Sequence, residues 1–259
     1  MKPFAILLAS VLSTSTLVVA ALPQAAAAAD TGDAFTKGAA ILKIADERAA
    51  KYPDQTYVAS MEIFKSGKLR QTMVFSMSMK GLEKQFISFT APGDVAGMKI
   101  LMEDRDTIYV YSPEFKKVRR VAAHMQNQGF LGSEFTPEDM VMAKLSTGFD
   151  AELIGKTGDE TKLVLKPKTG FTSSFSKLEI FIDSKVGGIT RIHYFDGAGA
   201  HVRTQLREGW TPFDGAQIPT KIRMANLKTG DETVINLSEI DVKTPVPDEL
   251  FSRQQLMRG

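Results

Sequence analysis

The sequence predicts a mainly β protein built on one large, curved antiparallel sheet with few helices. Two observations predict this class. Apolar residues recur with a period of two in strand-length segments from about residue 56 to residue 242, and short turns rich in Gly, Asp and Pro separate these segments. No helix-length segments alternate with the strands, which argues against a parallel α/β sheet and for a curved sheet or barrel.

An amphipathic helix is predicted before the first strand. In FTKGAAILKIADERAAKYP, residues 35–53, four apolar residues lie at helical spacing, and the final proline ends the pattern. These apolar residues are Ile41, Leu42, Ala45 and Ala49. We expect this helix to cover part of the apolar face of the sheet.

A long β-hairpin follows the helix. Alternating apolar residues run from Tyr57 to Ile63 and again from Leu69 to Met79, and Ser66-Gly67 forms the turn between them. Further strand-like segments are 84–90, 98–103, 107–112, 116–122, 151–154, 162–166, 178–183, 189–195, 202–208, 218–227 and 233–242. Together they predict an antiparallel meander.

One later segment, residues 129–145, departs from the strand pattern. Thr136 is placed to cap a short helix, Pro137 suits its first position and Asp139 lies in its first turn. This segment and the opening helix are the two candidates for covering the sheet.

The first 29 residues read as a cleaved signal peptide. Lys2 precedes an apolar run, and a row of alanines ending at Ala29 satisfies the small-x-small rule for cleavage. The alternative is an N-terminal membrane anchor, but Ser and Thr residues interrupt the apolar run. The chain contains no cysteine, so we expect residues 30–259 to form one soluble domain without disulfides in the bacterial periplasm.

Composition and motifs indicate few chemical functions. The formal net charge is only +2, which argues against a general nucleic-acid-binding surface. The sequence contains no nucleophile elbow, phosphate loop or dinucleotide fingerprint, so no catalytic residue and no cofactor are predicted. His193 and His201 flank a turn and could face each other, but with His124 they form no recognisable ligand set, and no metal is predicted.

Two features remain as candidates for binding. The chain has 12 methionines, most of them in its first half, and such flexible side chains either fill an ordinary core or repack around ligands of varying shape. The basic run of YVYSPEFKKVRRV, residues 109–121, either protects an edge strand from aggregation or contacts anionic headgroups or an acidic partner protein. The four cations of this run are Lys116, Lys117, Arg119 and Arg120.

Four motifs together resemble the periplasmic outer-membrane lipoprotein-sorting proteins of the LolA/LolB-like carrier superfamily. They are FTAPGDVAGMKILM, DRDTIYVYSPEFKKVRRV, FLGSEFTPEDM and VPDELF. The matching positions are Pro92, Gly97, Asp106, Tyr111, Pro113, Arg119, Arg120, Gly132, Ser133, Phe135, Asp139, Asp248 and Phe251. The sequence is most similar to the branch associated with inner-membrane transporters of the resistance-nodulation-division (RND) type. It lacks the Arg-Pro latch of the lipoprotein chaperone, since MKGLEKQF stands around Lys80 and Gly81.

The resemblance implies an incomplete, strongly curved β-barrel of about eleven strands, with helices covering an apolar concave face that holds acyl chains. On this basis we predict a non-enzymatic, monomeric carrier of lipoproteins or lipids that contacts membranes transiently. The candidate cavity residues are Met61, Ile63, Met73, Phe75, Met77, Phe86, Ile100, Met102, Tyr109 and Tyr111. The alternatives are a module that senses lipid or lipoprotein without transport, and an enzyme that acts on envelope lipids.

Overall fold

The structure is a computed structural model of the chain. Its described residues are 24–104, 107–122, 129–141 and 144–258. Residues 1–23 of the predicted signal peptide lie outside them, as do Asp106 and His124. Among the described residues, no helix combines the length and the apolar character needed to cross a membrane.

The described residues form thirteen strands. This is the number of strand-like segments found in the sequence, whereas the family resemblance implied about eleven strands. The first six strands are β1 (Asp54–Lys65), β2 (Lys68–Lys80), β3 (Lys84–Ala91), β4 (Lys99–Asp104), β5 (Thr107–Ser112) and β6 (Lys117–Arg120). The other seven are β7 (Phe149–Thr157), β8 (Glu160–Pro167), β9 (Lys177–Asp183), β10 (Gly188–Phe195), β11 (His201–Phe213), β12 (Ala216–Asn226) and β13 (Glu232–Asp241).

The four α-helices among the described residues are α1 (Gln24–Ala49), α2 (Pro137–Val141), α3 (Leu145–Gly148) and α4 (Arg253–Met257). Helix α1 contains most of the predicted opening helix but begins within the predicted signal segment, and cleavage after residue 29 stays a prediction. Helix α2 begins as predicted: the Thr136 N–H donates to Asp139 Oδ2 at 2.8 Å, and the Asp139 N–H donates back to Thr136 Oγ1 at 3.2 Å.

All strands belong to one antiparallel sheet that does not close into a barrel. Its order is β6-β5-β4-β3-β2-β1-β13-β12-β11-β10-β9-β8-β7. The first and last strands therefore pair in the middle, from Thr56 opposite Asp241 to Phe64 opposite Glu232. Strands β6 and β7 are the two edges, and the chain between them, residues 121–148, connects one edge to the other. The prediction of an incomplete antiparallel barrel is confirmed.

The β1–β2 hairpin shows how the sequence sets the register of the sheet. Ser66 and Gly67 both have positive φ angles, 51° and 74°, which is typical of the tight turns that match the twist of antiparallel strands. Beyond the turn, Met61 lies opposite Met73 and Ala59 opposite Phe75. The apolar residues of the two strands therefore share one face.

The sheet has an inner and an outer apolar face. The inner face is the side on which α1 and α3 pack, and it carries the main core cluster. On the outer face, the C-terminal segment, residues 246–257, packs on β3 to β6 through Val246, Phe251 and Leu256. This second contact buries strands β3 and β4 on both faces.

Helix α1 covers the edge strand β7 at very short range. A Cβ atom on Gly38 would lie 2.4 Å from the backbone oxygen of Ala151 and 2.8 Å from the backbone nitrogen of Leu153. Only a glycine allows this approach. The end of the helix is held by Arg48, which donates to the Gly187 carbonyl at 3.3 Å.

Candidate functional site

The inner face of strands β1 to β5 is a continuous apolar surface rich in methionine. Seven of the ten predicted cavity residues lie in or against its cluster: Met61, Ile63, Met73, Phe75, Met77, Ile100 and Met102. Met73 is fully buried directly opposite Met61, and the rings of Phe75 and Phe89 lie 5.2 Å apart. The structure therefore brings these seven residues together on one face, and their binding of a ligand stays a prediction.

The other three predicted residues, Phe86, Tyr109 and Tyr111, lie on the outer face, so the prediction that they share the inner face is wrong. They pack with Leu101 and the C-terminal segment. Their neighbours Ile87, Ile108 and Val110 point to the inner face instead, because successive side chains of a strand alternate between faces.

A cover lies over the inner face. We define the cover by six apolar side chains that come from three parts of the chain. They are Leu42 and Ala45 of α1, then Phe130, Leu131 and Phe135 of the segment that connects the two sheet edges, and Leu145 of α3. The ring of Phe130 lies 6.1 Å from that of Phe89 on the sheet. Sheet and cover together fill the described part of the interior closely, since most of the inner-face side chains are buried. The structure is thus a closed arrangement.

Polar contacts attach the cover to the sheet. Arg203 of β11 pairs with Asp139 of α2 at 2.5 Å and also donates to the Glu134 carbonyl at 2.6 Å. Lys65 at the end of β1 pairs with the Glu134 carboxylate at 2.8 Å. The Thr233 side chain accepts from the Glu134 N–H at 2.9 Å. These contacts hold the segment from Glu134 to Asp139 on the inner face.

The Arg203–Asp139 pair is buried, with side-chain exposures of 10% and 1%. Burial lowers the pKa of Arg203, but Asp139, Tyr194 and Glu134 outweigh this effect and hold the pKa above its ordinary value. Arg203 Nε and Asp139 Oδ1 have no hydrogen-bond partner among the described residues. The pair is therefore enclosed and incompletely hydrogen-bonded.

A further carboxylate joins α1 to α3. Buried Asp46 accepts from the backbone N–H groups of Leu145 and Ser146, at 3.2 Å and 2.7 Å. This contact satisfies N–H groups at the start of a short helix that has no side-chain cap of its own. The two helices of the cover are thereby linked to each other.

Strand β11 adds a polar stripe to the inner face. Arg203, Gln205 and Arg207 lie opposite Asn226, Met224 and Ile222 of β12, and Arg207 Nε donates to Gln205 at 2.9 Å. Burial lowers the pKa of Arg207. The inner face thus combines an apolar half on β1 to β5 with cations on β11, a feature that sequence reasoning missed.

The four cations of the basic run do not form one patch. Lys117 and Arg119 lie on one face of β6, and Arg120 lies on the other, opposite Tyr109. Lys116 belongs to the preceding turn, with a positive φ of 49°. Their contact with anionic headgroups or an acidic partner protein stays a prediction.

The two described histidines stack on each other beside the β10–β11 turn. The ring centroids of His193 and His201 lie 4.3 Å apart. Within the described ranges, no group of three or more His, Cys, Asp or Glu residues could hold a metal ion. Burial, His201 and Arg191 lower the pKa of His193 from 6.5 to about 4, against the opposing effect of Glu179.

This shift predicts a pH dependence of stability. Because the folded state disfavours protonated His193, the unfolded chain binds the proton first as the pH falls below 6.5. We therefore expect the stability from this group to be complete above pH 6.5 and to decline towards pH 4, by at most ~1.4 kcal/mol per pH unit. His193→Phe should flatten this slope in urea unfolding at pH 7, 5.5 and 4.5. An unchanged slope would show that other groups cause it.

The fold and site define a class of protein: an open, curved antiparallel sheet whose apolar inner face lies under helices. Three solved structures share this fold. A domain from Vibrio parahaemolyticus, named for outer-membrane lipoprotein sorting, has a TM-score of 0.80 at 21% identity, over 86% of this chain and 100% of that domain. A DUF1329 family protein from Desulfovibrio piger has a TM-score of 0.80 at 23% identity, over 86% and 99% of the two chains.

A LolA superfamily protein from Nitrosomonas europaea has a TM-score of 0.69 at 19% identity, over 83% of this chain and 97% of that one. The predicted resemblance to LolA-like proteins is thus confirmed at the level of the fold. A family model described as "Uncharacterized protein" matches residues 81–258, and the chain belongs to that family. None of the curated proteins matches the sequence.

Proposed function

We propose that the protein is a non-enzymatic periplasmic carrier that binds acyl chains of lipoproteins or lipids on its inner face and delivers them towards the outer membrane. One observation carries this proposal. A continuous methionine-rich apolar face lies beneath a cover whose pieces are attached to the sheet by a few polar contacts, chiefly Arg203–Asp139 and Lys65–Glu134. Such a cover can separate from the face without breaking the sheet.

The residues of the inner face suit a ligand of variable shape. Met61, Met73 and Met102 are buried in the cluster, and Met77 packs against it. Unbranched thioether side chains change rotamer easily and repack around different chains. Burial of one methylene contributes about 0.8 kcal/mol, so a ~14-carbon chain offers on the order of 11 kcal/mol before the costs of opening.

The closed arrangement accounts for release. In the absence of cargo, Phe130 and Phe135 pack on the inner face that the acyl chain would occupy, and the Phe130 ring lies 6.1 Å from that of Phe89 on β3. Cargo and cover therefore compete, and reclosing offsets part of the affinity of the chain. The polar stripe at Arg203 and Arg207 would meet the polar end of a cargo whose acyl chain lies along β1 to β5.

The sequence also predicts where this carrier acts and which partners it has. The predicted signal peptide places the carrier in the periplasm, and the resemblance adds an inner-membrane RND-type transporter as donor and a monomeric state. These are predictions from the sequence. A membrane acceptor follows from the chemistry of the cargo, since an acyl chain leaving an apolar face needs another apolar phase.

Met77→Asp is expected to weaken acyl-chain binding at least about tenfold, because a carboxylate on the apolar face must be desolvated when the chain binds. Met77 is half-buried, so the folded sheet should tolerate the change. Leu69→Asp is the matched control, on the same strand but 53% exposed, and should bind within about twofold of the parent. Fluorescence titration with a labelled fatty acid measures both, and equal affinities for Met77→Asp and the parent would reject the assignment of this face.

A transfer assay distinguishes the proposed carrier from the alternatives. Delipidated protein is mixed with donor and acceptor vesicles that contain labelled phospholipid or lipoprotein. A carrier moves the label between vesicles, a sensing module only binds it, and an enzyme changes its mass. If the protein extracts no lipid from any donor, the carrier proposal fails.

A further inference from the structure

The outer face carries a pocket that lies apart from the inner face. Its volume is about 660 Å³, and strands β4 to β6 and the C-terminal segment line it. Tyr109 and Val118 come from the sheet, while Phe251, Arg253 and Met257 come from the C-terminal segment. We call it the outer pocket.

The C-terminal segment is fixed in place, so the outer pocket is a built feature of the fold. Lys80 of β2 pairs with Asp248 at 2.9 Å and donates to the Val246 carbonyl at 3.2 Å. Further along, Phe251 is buried and Leu256 is fully buried against the sheet. The C-terminal segment, which forms one wall of the pocket, is thus held by the apolar contacts of Phe251 and Leu256 and by the Lys80–Asp248 ion pair near its start.

The charge of the outer pocket favours an anion. Arg120 enters it from β6 and Arg253 from α4, and Glu103 is the acidic residue among its lining side chains. The Arg253 guanidinium lies 5.4 Å from the centre of the Tyr109 ring. A planar guanidinium binds phosphate and carboxylate oxygens through paired N–H donors, and two of them line this pocket, one from the sheet and one from the C-terminal segment.

An exposed apolar side chain accompanies these cations. Met257 on the pocket wall is 59% exposed. Apolar side chains beside arginines are typical of surfaces that enter the boundary between lipid headgroups and acyl chains.

We propose that the outer pocket binds the phosphate-bearing headgroup of an acidic phospholipid and so docks the protein on an anionic membrane surface. Arg120 and Arg253 bind the phosphate, and Met257 enters the apolar boundary beneath it. An acidic peptide would use the same two cations but would gain nothing from an exposed methionine at the rim. Docking concerns the outer face alone and stands apart from cargo binding on the inner face.

Vesicle sedimentation tests this proposal. Binding is measured with vesicles of phosphatidylglycerol mixed with phosphatidylcholine, and with vesicles of phosphatidylcholine alone. Arg120→Gln/Arg253→Gln is compared with Lys117→Gln/Arg119→Gln, which removes the same charge from the other face of β6. The pocket variant is expected to lose affinity for the anionic vesicles at least about tenfold more than the control. Equal losses would indicate unspecific attraction of cations to the anionic surface and would overturn the proposal.

Two further measurements keep the test decisive. Met257→Asp changes an exposed side chain and should leave the fold intact. It is expected to weaken vesicle binding at least about fivefold, and unchanged binding would overturn the proposal even if the arginine variant fails to fold.

Inorganic phosphate is titrated in parallel by NMR. Saturation of the pocket by free phosphate at the affinity found for vesicles would assign the site to a soluble anion instead. The Met77→Asp variant should dock normally, so failure of docking and failure of cargo binding are separable.

Discussion

Arg203→Met is expected to lower the free energy of unfolding by about 3–5 kcal/mol, because it leaves the carboxylate of Asp139 buried without its cation. The same change should loosen the cover and speed the uptake of a labelled fatty acid. Urea unfolding at neutral pH measures the first effect, and stopped-flow fluorescence measures the second.

Arg223→Met is the matched control for this variant. Arg223 of β12 pairs with Glu232 at 3.1 Å, but the two side chains are 32% and 28% exposed. Loss of this ion pair should therefore cost less than about 1 kcal/mol of unfolding free energy.

The double variant Arg203→Met/Asp139→Leu should recover most of the stability lost in Arg203→Met, since apolar residues often replace a buried ion pair without loss. It also removes the cap at Thr136, worth about 1 kcal/mol. If Arg203→Met costs no more than Arg223→Met, the pair does not hold the cover.

Gly38→Ala is expected to destabilise the protein by about 1–3 kcal/mol, although alanine favours a helix over glycine by about 1 kcal/mol. The added Cβ would lie 2.4 Å from the Ala151 oxygen, and since that atom belongs to the backbone, α1 must move away from β7. The displaced helix should expose apolar surface to a hydrophobic dye. Thermal unfolding and dye fluorescence measure the two effects.

Gly32→Ala provides the control on the same helix. No heavy atom lies within 4 Å of its added Cβ, so only the helix preference remains, and this variant should be as stable as the parent or up to about 1 kcal/mol more stable. If Gly38→Ala behaved like Gly32→Ala, the close approach of α1 to β7 would not exist in solution.

The sequence was sufficient to predict the strands because every strand except the short edge strand β6 buries side chains on at least one face. On β1 the alternation is nearly perfect, and the turns between strands are marked by Gly and Asp. The sequence was not sufficient for the faces of β3 and β5. Phe86, Tyr109 and Tyr111 look like inner-face residues because the C-terminal segment packs on the outer face too, and a strand covered on both sides loses the alternation that identifies its faces.

The polar contacts of the cover could not be predicted for a different reason. Arg203 on a strand reads as an exposed residue, and its partner Asp139 lies 64 positions away in the chain. Only the fold brings them together. The outer pocket depends in the same way on a C-terminal segment that returns to β4 to β6, and helix α4 within it is too short to give a helical pattern.

The pairing of β1 with β13 has a consequence for how the chain can be divided. Every hydrogen-bonded strand neighbour except this pair is also a neighbour in sequence, so each half of the molecule is a self-contained run of hairpins. One ladder joins the halves, and Glu134 of residues 121–148 contacts both of its strands, through Lys65 of β1 and Thr233 of β13. A backbone nick elsewhere in that stretch would leave every described strand ladder intact, so the two halves would stay joined by this ladder and by the side-chain contacts of Glu134.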